Sequence, residues 1–340
     1  MQETKKLYSF PEVSVIVSVY NVAPYIKECA ESLFSQTLES IEYIFIDDAS
    51  TDESLMILMD VVNRFPGKKN FIKLITHEKN VGIAAVRREG LLLANGSYVI
   101  YCDGDDFIEH DSYELMLREA KQKKADIIVC GYRLFGNNIK SRFFVPDSGF
   151  LSGEEFLSYL SGRRKKNLHG SLWNKLISHS IMDENIFPKE TSYCEDLCAL
   201  FSIVSKHPEV RISTLDKPLY NYRIRNSSLV TLRGKQRYED ALKVLNTLED
   251  IVQRSSGDIA FSARCKIIEI LYRMVETSPD IHRFSEDYSQ YKPLIKYNRR
   301  LNLFEKIELR LALNNSCFAP ILRKFNEAGR GVIKKIKHRI

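Results

Sequence analysis

The first hundred residues alternate between short apolar runs and segments in which apolar residues recur at helical spacing. The apolar runs are rich in β-branched and aromatic residues, which is typical of buried strands. Strands that alternate with helices predict right-handed crossovers and a mainly parallel sheet, so the expected fold class is α/β. Four strands are predicted, at Val13–Val19, Tyr43–Asp47, Phe71–Thr76 and Tyr98–Cys102.

The pattern changes further along the chain. A helix near Asp111–Lys124 and a strand at Asp126–Gly131 continue the alternation, and a capping box at Ser152–Glu155 predicts the start of another helix. Leu219–Val230 has the pattern of a strand followed by a loop. Beyond Lys235 the pattern is helical to the end, so we expect the clearest change of organisation near residue 235.

Composition restricts the class of protein without identifying it. With 340 residues, 44% hydrophobic and 28% charged, the chain is long enough for a sizeable core and two domains of ordinary globular composition. It has no apolar run that could span a membrane, and its first residues lack the apolar core of a secretory signal. We therefore expect a cytoplasmic protein, peripheral at most on the cytosolic face of the membrane.

The seven cysteines are scattered, and their odd number and loose spacing argue against a disulfide framework. Cys194 and Cys198 lie one helical turn apart, a spacing that zinc could use. No second Cys or His pair stands nearby in the sequence, so a zinc site is not expected.

The net charge of +6 is concentrated near the C-terminus, where residues 291–340 contain 13 Lys or Arg and three Glu. Within Pro320–Ile340, apolar residues recur at helical spacing, although Gly329 and Gly331 weaken the helix. A basic amphipathic helix suits an anionic membrane surface. Packing on its own domain, or a contact between two copies in a homo-oligomer, stays open. No nucleic-acid recognition module accompanies the charge, so no nucleic-acid partner is expected.

The stretch Tyr98–Asp106, with sequence YVIYCDGDD, ends a predicted strand in three carboxylates around one glycine. Open α/β sheets bind their ligands at the carboxyl ends of strands. Crowded carboxylates repel one another unless a cation joins them, so Asp-Gly-Asp suits a divalent metal that carries phosphates. A polar turn without a ligand is the alternative, because Asp-Gly is also turn chemistry.

Other polar residues follow the neighbouring strands. Tyr20-Asn21 and Asp48 come directly after the first two strands, and they would share a crevice with Asp103–Asp105 if those strands are adjacent. An aspartate can accept a base N–H, Tyr20 can stack on that base, and Arg87 can add positive charge. The chain has neither a P-loop nor a GxGxxG after the first strand, so the pattern predicts a nucleotide-diphosphate site of another kind.

Four segments resemble, in order and spacing, the motifs of inverting glycosyltransferase family 2. They are Val13–Asn21, Tyr43–Asp52 (YIFIDDASTD), Asn80–Gly90 (NVGIAAVRREG) and Asp103–Asp106. The resemblance covers roughly residues 12–230 and implies the GT-A fold, a Rossmann-like, mainly parallel sheet flanked by helices. It implies a nucleotide-sugar-binding half at 12–107, an acceptor-side half at 108–232 and a helical C-terminal region at 235–340.

The resemblance also implies roles for single residues on the donor side. Val19, through its backbone, and Tyr20 would contact the base, and Asp48 would accept the N3–H of uracil. Asp103 would bind ribose or the metal, and Asp105 the metal itself, either Mg²⁺ or Mn²⁺. The remaining donor-side residues are Asn21, Gly104 and Arg87, of which Arg87 matches the arginine of the family's Ala-Arg-Asn although Val86 and Arg88 flank it here.

The acidic pair Glu195-Asp196 matches the family's Glu-Asp, which implies a general base for the acceptor hydroxyl. On a helical wheel Asp196 flanks the apolar face and Glu195 points nearly away from it, so Asp196 is predicted as the base and Glu195 as its helper. The alternative is an acidic first turn that only stabilises the helix dipole.

Three further residues are candidates on the acceptor side or at the phosphates. Trp173, the only tryptophan, could stack on a sugar or anchor the core. Lys175 could pair with Glu195 or the diphosphate, or be solvated. Arg223 lies in a segment that resembles the family's Tyr-x-Tyr-Arg, where a mobile loop could bring it to the departing phosphates; an edge strand is the alternative. His77 is expected to be structural or solvated.

The function implied is a metal-dependent, inverting glycosyltransferase of the hexosyltransferase type. It would move a sugar from a UDP-sugar to a hydroxyl of a glycan or lipid-linked oligosaccharide. A nucleotidyltransferase is one alternative, but it calls for a Gly-rich basic loop after the first strand, which SVYNVAPY does not supply. A non-catalytic nucleotide-sugar-binding or membrane scaffold is another, and retention of the acids argues against it.

Overall fold

The structure is a computed structural model that describes residues 10–136, 139–164, 168–188, 191, 193–225, 235–275 and 281–314. The chain divides into two compact units. Residues 1–156 and 167–231 form the first unit, and residues 157–166 and 232–340 form the second. The division of the first unit into halves at 12–107 and 108–232 stays a prediction, because a single sheet crosses both.

Ten strands form the sheet of the first unit. They are β1 (Val13–Val19), β2 (Ile41–Asp47), β3 (Ile72–Thr76), β4 (Tyr98–Asp103), β5 (Phe107–Ile108), β6 (Ile127–Gly136), β7 (Ile139–Phe144), β8 (Gly149–Ser152), β9 (Lys175–Ser178) and β10 (Arg211–Arg223). Their order is β3-β2-β1-β4-β9-β6-β10-β5, with β7 on β6 and β8 on β10. The block β3-β2-β1-β4 is parallel, and so is the pair β6-β10.

The short strand β9 joins these two blocks, because it pairs antiparallel with β4 on one side and with β6 on the other. Ile177 is the partner of Val99 in the first register and of Ile127 in the second. Its side chain is fully buried. One residue of β9 is therefore the point at which both blocks of the sheet meet.

Helices connect the strands of the first unit. They are α1 (Ile26–Phe34), α2 (Ser54–Arg64), α3 (Ile83–Leu93), α4 (Ser112–Lys123), α5 (Gly153–Leu160) and α6 (Glu195–Lys206), of which α5 crosses into the second unit. In α1 the buried residues include Ile26, Cys29, Ala30 and Leu33, the spacing of one helix face. Every residue of β2 and nearly every residue of β1 is buried, as expected for parallel strands covered on both faces.

The predicted α/β fold class is confirmed, and the main differences are the strands β5, β7, β8 and β9, which the sequence did not predict, and the length of β10. The capping box is present, since Ser152 N–H donates to Glu155 and Glu155 N–H donates to the Ser152 hydroxyl, both at 3.2 Å. The strand predicted to begin at Leu219 begins at Arg211 instead. Pro218 and the polar residues before it interrupt the alternation, and the pairing of β10 with β6 shifts register at Pro218.

The second unit is helical. After α5 it contains α7 (Lys235–Arg254), α8 (Gly257–Met274), α9 (Ile281–Tyr288), a 3₁₀ segment (Ser289–Tyr297) and α10 (Leu303–Ala312). As predicted, none of the described residues beyond 235 forms a strand. In the part of the chain that the structure describes, no helix combines the length and the apolar character needed to cross a membrane. The predicted basic helix at 320–340 lies outside the described residues.

Candidate active site

The carboxyl ends of β1, β2 and β4 lie level with one another. In the parallel registers Val19 faces Asp47 on one side, and Ser18 faces Asp103 on the other. The Asp48 N–H donates to the Val19 carbonyl at 2.9 Å. These pairings bring together the strand ends that the sequence predicted would share a crevice.

The loop after β1 exposes the ring of Tyr20, and hydrogen bonds with residues after β2 hold its backbone in place. Tyr20 is 44% exposed, so its ring is free to stack on a planar ligand. Asn21 has a left-handed backbone with φ 50°, and its N–H donates to the Ser50 hydroxyl at 3.0 Å. The Asn21 side-chain oxygen accepts from the Thr51 N–H at 2.8 Å. Asn21 therefore shapes the loop rather than reaching into the crevice.

The Asp48 carboxylate is buried and already accepts three hydrogen bonds. The donors are the N–H groups of Val81 and Gly82, at 2.8 and 2.9 Å, and the His77 ring, 2.8 Å from Oδ1. A carboxylate offers about four acceptor positions. One position is left for a further donor such as a base N–H.

His77 is a residue whose part in the site the sequence analysis missed. One ring nitrogen contacts Asp48 and the other lies 2.7 Å from Glu89. Burial lowers the pKa of His77, but the hydrogen bonds and charges of the two carboxylates outweigh it and raise the pKa above its usual value. The signal was its position directly after β3, at the sheet edge where the other site residues stand.

Arg87, on α3, joins the donor side of the site to α6. Its buried guanidinium contacts Glu195 and Asp196 and lies 3.1 Å from Asp103. Burial lowers the pKa of Arg87, but Asp196, Glu195 and Asp103 together raise it above its usual value, so the side chain stays charged. Three carboxylates from β4 and α6 thus converge on one cation.

The helical wheel placed Glu195 nearly opposite the apolar face of α6, but the exposure which that position implies is wrong. Glu195 is only 8% exposed, and it shares the guanidinium with Asp196. The wheel used only the apolar face of α6, whereas the first residue of that helix follows a left-handed Cys194 with φ 54° and faces α3. The wheel therefore does not choose between the two acids.

The hydrogen bonding and the pKa of Asp196 give a better reason than the helical wheel to single out this acid. Asp196 also accepts the Leu172 N–H at 3.0 Å. Burial is the largest influence on the pKa of Asp196, and with the neighbouring carboxylates it outweighs Arg87 and raises the pKa to about 7. A carboxyl with this pKa can exchange a proton near neutral pH.

The turn after β4 is tightly built. The Gly104 N–H donates to the Ser18 carbonyl at 3.0 Å, and a Cβ on Gly104 would stand 2.8 Å from that oxygen. Asp106 is buried and accepts the Tyr220 hydroxyl at 2.8 Å and the Arg223 N–H at 2.7 Å. Asp106 is therefore a structural carboxylate that ties this turn to β10.

Asp105 is the other carboxylate of the Asp-Gly-Asp segment. Burial and Asp103 raise its pKa to about 6 against the opposing effect of Arg225, whose Nε lies 2.7 Å away. A divalent cation would relieve that repulsion, so Asp103 and Asp105 fit Mg²⁺ or Mn²⁺ as hard oxygen ligands. Among the described residues no three His, Cys, Asp or Glu side chains are arranged to hold a metal, Cys194 and Cys198 included. Phosphate or water oxygens would have to complete the coordination.

Arg223 is the last residue of β10, so it lies in a strand and not in a loop. However, β10 is an interior strand that pairs with β6 on one side and with β5 and β8 on the other, so the edge-strand alternative is wrong as well. Its Nε donates to the Asp105 carbonyl at 2.9 Å, and its other end pairs with Glu28 at 2.5 Å. The guanidinium lies 4.9 Å from the centre of the Tyr25 ring. Arg223 thus supports the turn after β4.

Trp173 and Lys175 are both buried, so the predictions that place either side chain at an exposed surface are wrong. Lys175 is fully buried and donates to the carbonyls of His169 and Ser171 and to Asn174 Oδ1, at 2.8, 2.6 and 2.7 Å. Burial lowers its pKa to about 7. Trp173 is 3% exposed and stacks 4.4 Å from the Tyr220 ring. Trp173 is therefore the core anchor that the sequence left as an alternative, and Lys175 cannot face an acceptor.

Comparisons with known proteins identify the family and the fold. The family model for glycosyl transferase family 2 matches residues 14–194. EpsH of Bacillus subtilis is 31% identical to the chain over 250 residues, which are 72% of this chain and 70% of EpsH.

Two solved structures share the fold. TarS 1–349 from S. aureus, in complex with UDP-GlcNAc, covers 93% of this chain and 92% of its own at 18% identity, with a TM-score of 0.68. The mannosyltransferase PcManGT from Pyrobaculum calidifontis, in complex with GDP-Man and Mn²⁺, covers 90% and 86% at 15% identity, with a TM-score of 0.53. Because the family model matches more than half of the chain and EpsH is similar over most of it, the chain belongs to glycosyl transferase family 2 and is a glycosyltransferase with the GT-A fold.

Proposed function

We propose that the chain transfers a sugar from a UDP-sugar to a hydroxyl group of a glycan or lipid-linked oligosaccharide, with inversion at the sugar carbon. The observation that carries the proposal is Asp196. It is a largely buried carboxyl, with 14% of its side chain exposed and a pKa of about 7, and Arg87 joins it to the acidic turn after β4. The UDP-GlcNAc bound by TarS supports UDP as the nucleotide.

The donor nucleotide would lie across the ends of β1 and β2. Tyr20 would stack on the uracil, and the fourth acceptor position of Asp48 would take the uracil N3–H. Val19 and Asn21 would shape the floor beneath the base. Asp103, one quarter of whose side chain is exposed, would accept a ribose hydroxyl or hold the metal.

Asp103 and Asp105 would hold Mg²⁺ or Mn²⁺ at the diphosphate. Such an ion neutralises charge that develops on the leaving diphosphate. The Mn²⁺ in PcManGT supports divalent metal use. Gly104 lets the backbone of the turn approach β1 closely, and Arg223 and Asp106 hold the turn from the side of β10.

The acceptor hydroxyl would lose its proton to an oxygen of Asp196. As the acceptor oxygen bonds to the anomeric carbon, the bond from that carbon to the UDP oxygen breaks on the opposite face, and the electron pair leaves with UDP. General base catalysis contributes roughly 10²–10⁴-fold. Glu195 would keep Arg87 paired while Asp196 changes its charge.

Two parts of the proposal lie outside this site. Residues 320–340 would bind the anionic cytosolic face of a membrane, as their basic amphipathic sequence suggests. A homo-oligomer through the same segment is the competing arrangement, and both concern residues outside the described part of the chain.

The decisive experiment compares Asp196→Asn with Glu195→Gln. We expect Asp196→Asn to bind UDP as the wild type does, seen as an equal rise in melting temperature, but to lose at least about 10²-fold in transfer. Glu195→Gln should keep most of its turnover. Near-normal transfer by Asp196→Asn would remove it as the base.

The donor and the metal are tested together in a panel of UDP-sugars. Hydrolysis or thermal stabilisation identifies the sugar, and Mn²⁺ should be needed for the full UDP effect, so that EDTA removes most of it. A UDP effect indifferent to EDTA would end the assignment of Asp103 and Asp105 to a metal. The anomeric configuration of the product, read by NMR, tests inversion.

A further inference from the structure

The helix α10 of the second unit packs Leu309 and Ala312 on the core and buries both of its acidic residues, yet it exposes three large apolar residues. Glu305 and Glu308 are buried, whereas Leu303, Phe304 and Ile307 are 70%, 57% and 38% exposed. A helix of a globular protein normally turns its apolar stripe to the core. Leu303, Phe304 and Ile307 form a second apolar stripe in addition to the core-facing side, which indicates that this stripe contacts something other than the core of its own unit.

The buried acids have definite tasks. Glu305 closes a capping box with Asn302, in which the Glu305 N–H donates to the Asn302 side chain at 3.0 Å and the Asn302 N–H donates back at 2.7 Å. Glu308 accepts the Tyr272 hydroxyl at 3.3 Å. The contact of Glu308 with Tyr272 on α8 and the burial of Leu309 fix the rotation of α10 about its axis, so the outward direction of the exposed apolar residues follows from them.

The rest of the outward face is basic. At 100° per residue, Lys306 and Arg310 fall beside the stripe of Leu303 and Ile307, and Arg310 is exposed. The preceding 3₁₀ segment adds Lys296 and Tyr297, both exposed. No residue of α10, all ten of which the structure describes, places an acid on this face.

Neighbouring contacts hold these basic and aromatic residues together. The Lys306 ammonium donates to the Lys296 carbonyl at 3.4 Å, and the Lys296 ammonium lies 4.8 Å from the centre of the Tyr297 ring. The neighbouring helix α9, which contacts α10, carries the exposed acids Glu286 and Asp287. The surface of Lys296, Tyr297, Leu303, Phe304, Lys306, Ile307 and Arg310 is called the α10 face below.

We propose that the α10 face binds the surface of an anionic phospholipid bilayer. Leucine, phenylalanine and isoleucine enter the acyl boundary, tyrosine suits the headgroup layer, and lysine and arginine attract anionic lipid. The chain's own residues 315–340 carry seven Lys or Arg and one Glu, so like charge disfavours them as the cover of this face. A second copy would bring an identical basic face and meets the same repulsion. Because it rests on described residues, the inference is independent of the role proposed for residues 320–340.

The test uses the full chain with Leu303→Gln, Phe304→Gln and Ile307→Gln combined. Glutamine keeps helix propensity, and these side chains are exposed, so folding should be intact. Met56→Gln with Met59→Gln, on α2, is the matched control, because those side chains are 55% and 50% exposed. Cosedimentation with vesicles of phosphatidylcholine, with and without phosphatidylglycerol, measures binding.

We expect the triple variant to lose at least about tenfold in affinity for the anionic vesicles, while the methionine control binds as the wild type does. Lys306→Gln with Arg310→Gln should weaken binding at low salt and have little effect at high salt. Melting temperature and UDP-sugar hydrolysis without vesicles should be unchanged in all three variants.

Several results would overturn the inference. One is wild-type protein that ignores anionic vesicles or binds neutral ones equally well. Another is a triple variant of α10 that binds vesicles as the wild type does, while a second variant that combines Lys334→Gln, Lys335→Gln and Lys337→Gln no longer binds them. A wild-type dimer that the triple variant converts to monomer, measured by light scattering, would assign the face to a contact between copies.

Discussion

Replacing Arg87 with glutamine removes the guanidinium that Asp103, Glu195 and Asp196 share. Because the arginine is buried, water cannot readily take its place. Removing one partner of a buried ion pair costs about 3–5 kcal/mol, since the remaining charge loses its compensation. We therefore expect Arg87→Gln to lower the free energy of unfolding of the first unit by about 3–5 kcal/mol near neutral pH.

The neighbouring arginine offers a matched control. Arg88 donates only to main-chain carbonyls in the bonds that the structure shows, those of Glu184, Phe187 and Pro188 at 3.1 to 3.3 Å. Arg88→Gln should therefore cost about 1–2 kcal/mol. Urea unfolding followed by the fluorescence of Trp173 measures both, because this single tryptophan is buried in the core of the first unit.

The pH dependence separates lost charge from lost packing. Without the guanidinium, Asp196, whose pKa burial already raises to about 7, would have a folded-state pKa still further above its unfolded value. A carboxyl whose pKa is raised by folding stabilises the folded protein more as the pH falls through the folded-state pKa. The loss of unfolding free energy caused by Arg87→Gln should therefore shrink between about pH 8 and about pH 5. An equal loss in both arginine variants, or a deficit of Arg87→Gln that acid leaves unchanged, would refute the shared-cation reasoning.

Three further substitutions test other parts of the site by the same unfolding assay. Gly104→Ala sets a Cβ 2.8 Å from the Ser18 carbonyl, so we expect a loss of about 1–3 kcal/mol and weaker UDP binding; full UDP affinity would mean that the turn relaxes freely. His77→Gln removes a ring whose pKa is raised in the folded state, so its cost should be largest at about pH 6 and fade as the pH rises through that pKa; a pH-independent cost would contradict the pairing with Asp48. Lys175→Met leaves three buried acceptors without their donor and should cost about 2–4 kcal/mol while the UDP thermal shift stays intact; loss of that shift would return Lys175 to the binding site.

The common position of the residues at the strand ends was predictable, because neighbouring parallel strands end at the same edge of a sheet. Once the apolar runs are strands of one parallel block, Ser18, Asp48 and Asp103 must emerge at the same edge of the sheet. Local alternation and the family motifs are both short-range signals, and they located this edge to within a residue or two.

The partners of Arg87 were not predictable in the same way. Glu195 and Asp196 lie 108 and 109 residues further along the chain, and their position depends on how α6 docks beside α3. Lys175 shows the same limit. Its charge predicted solvent, but the carbonyls that bind it are aimed inward by the backbone path of residues 169–174, which no periodicity reveals.

The double pairing of Ile177 has a consequence for the growing chain. During synthesis β4 is complete about seventy residues before β9 exists, so for that interval its outer edge carries unpaired N–H and C=O groups. An open edge of this kind is a template for pairing with another chain. The edge closes only when four residues, Lys175–Ser178, enter between β4 and β6. By fixing the first residue of β9 in the protein interior, the hydrogen bonds of Lys175 hold in place the strand that closes this edge.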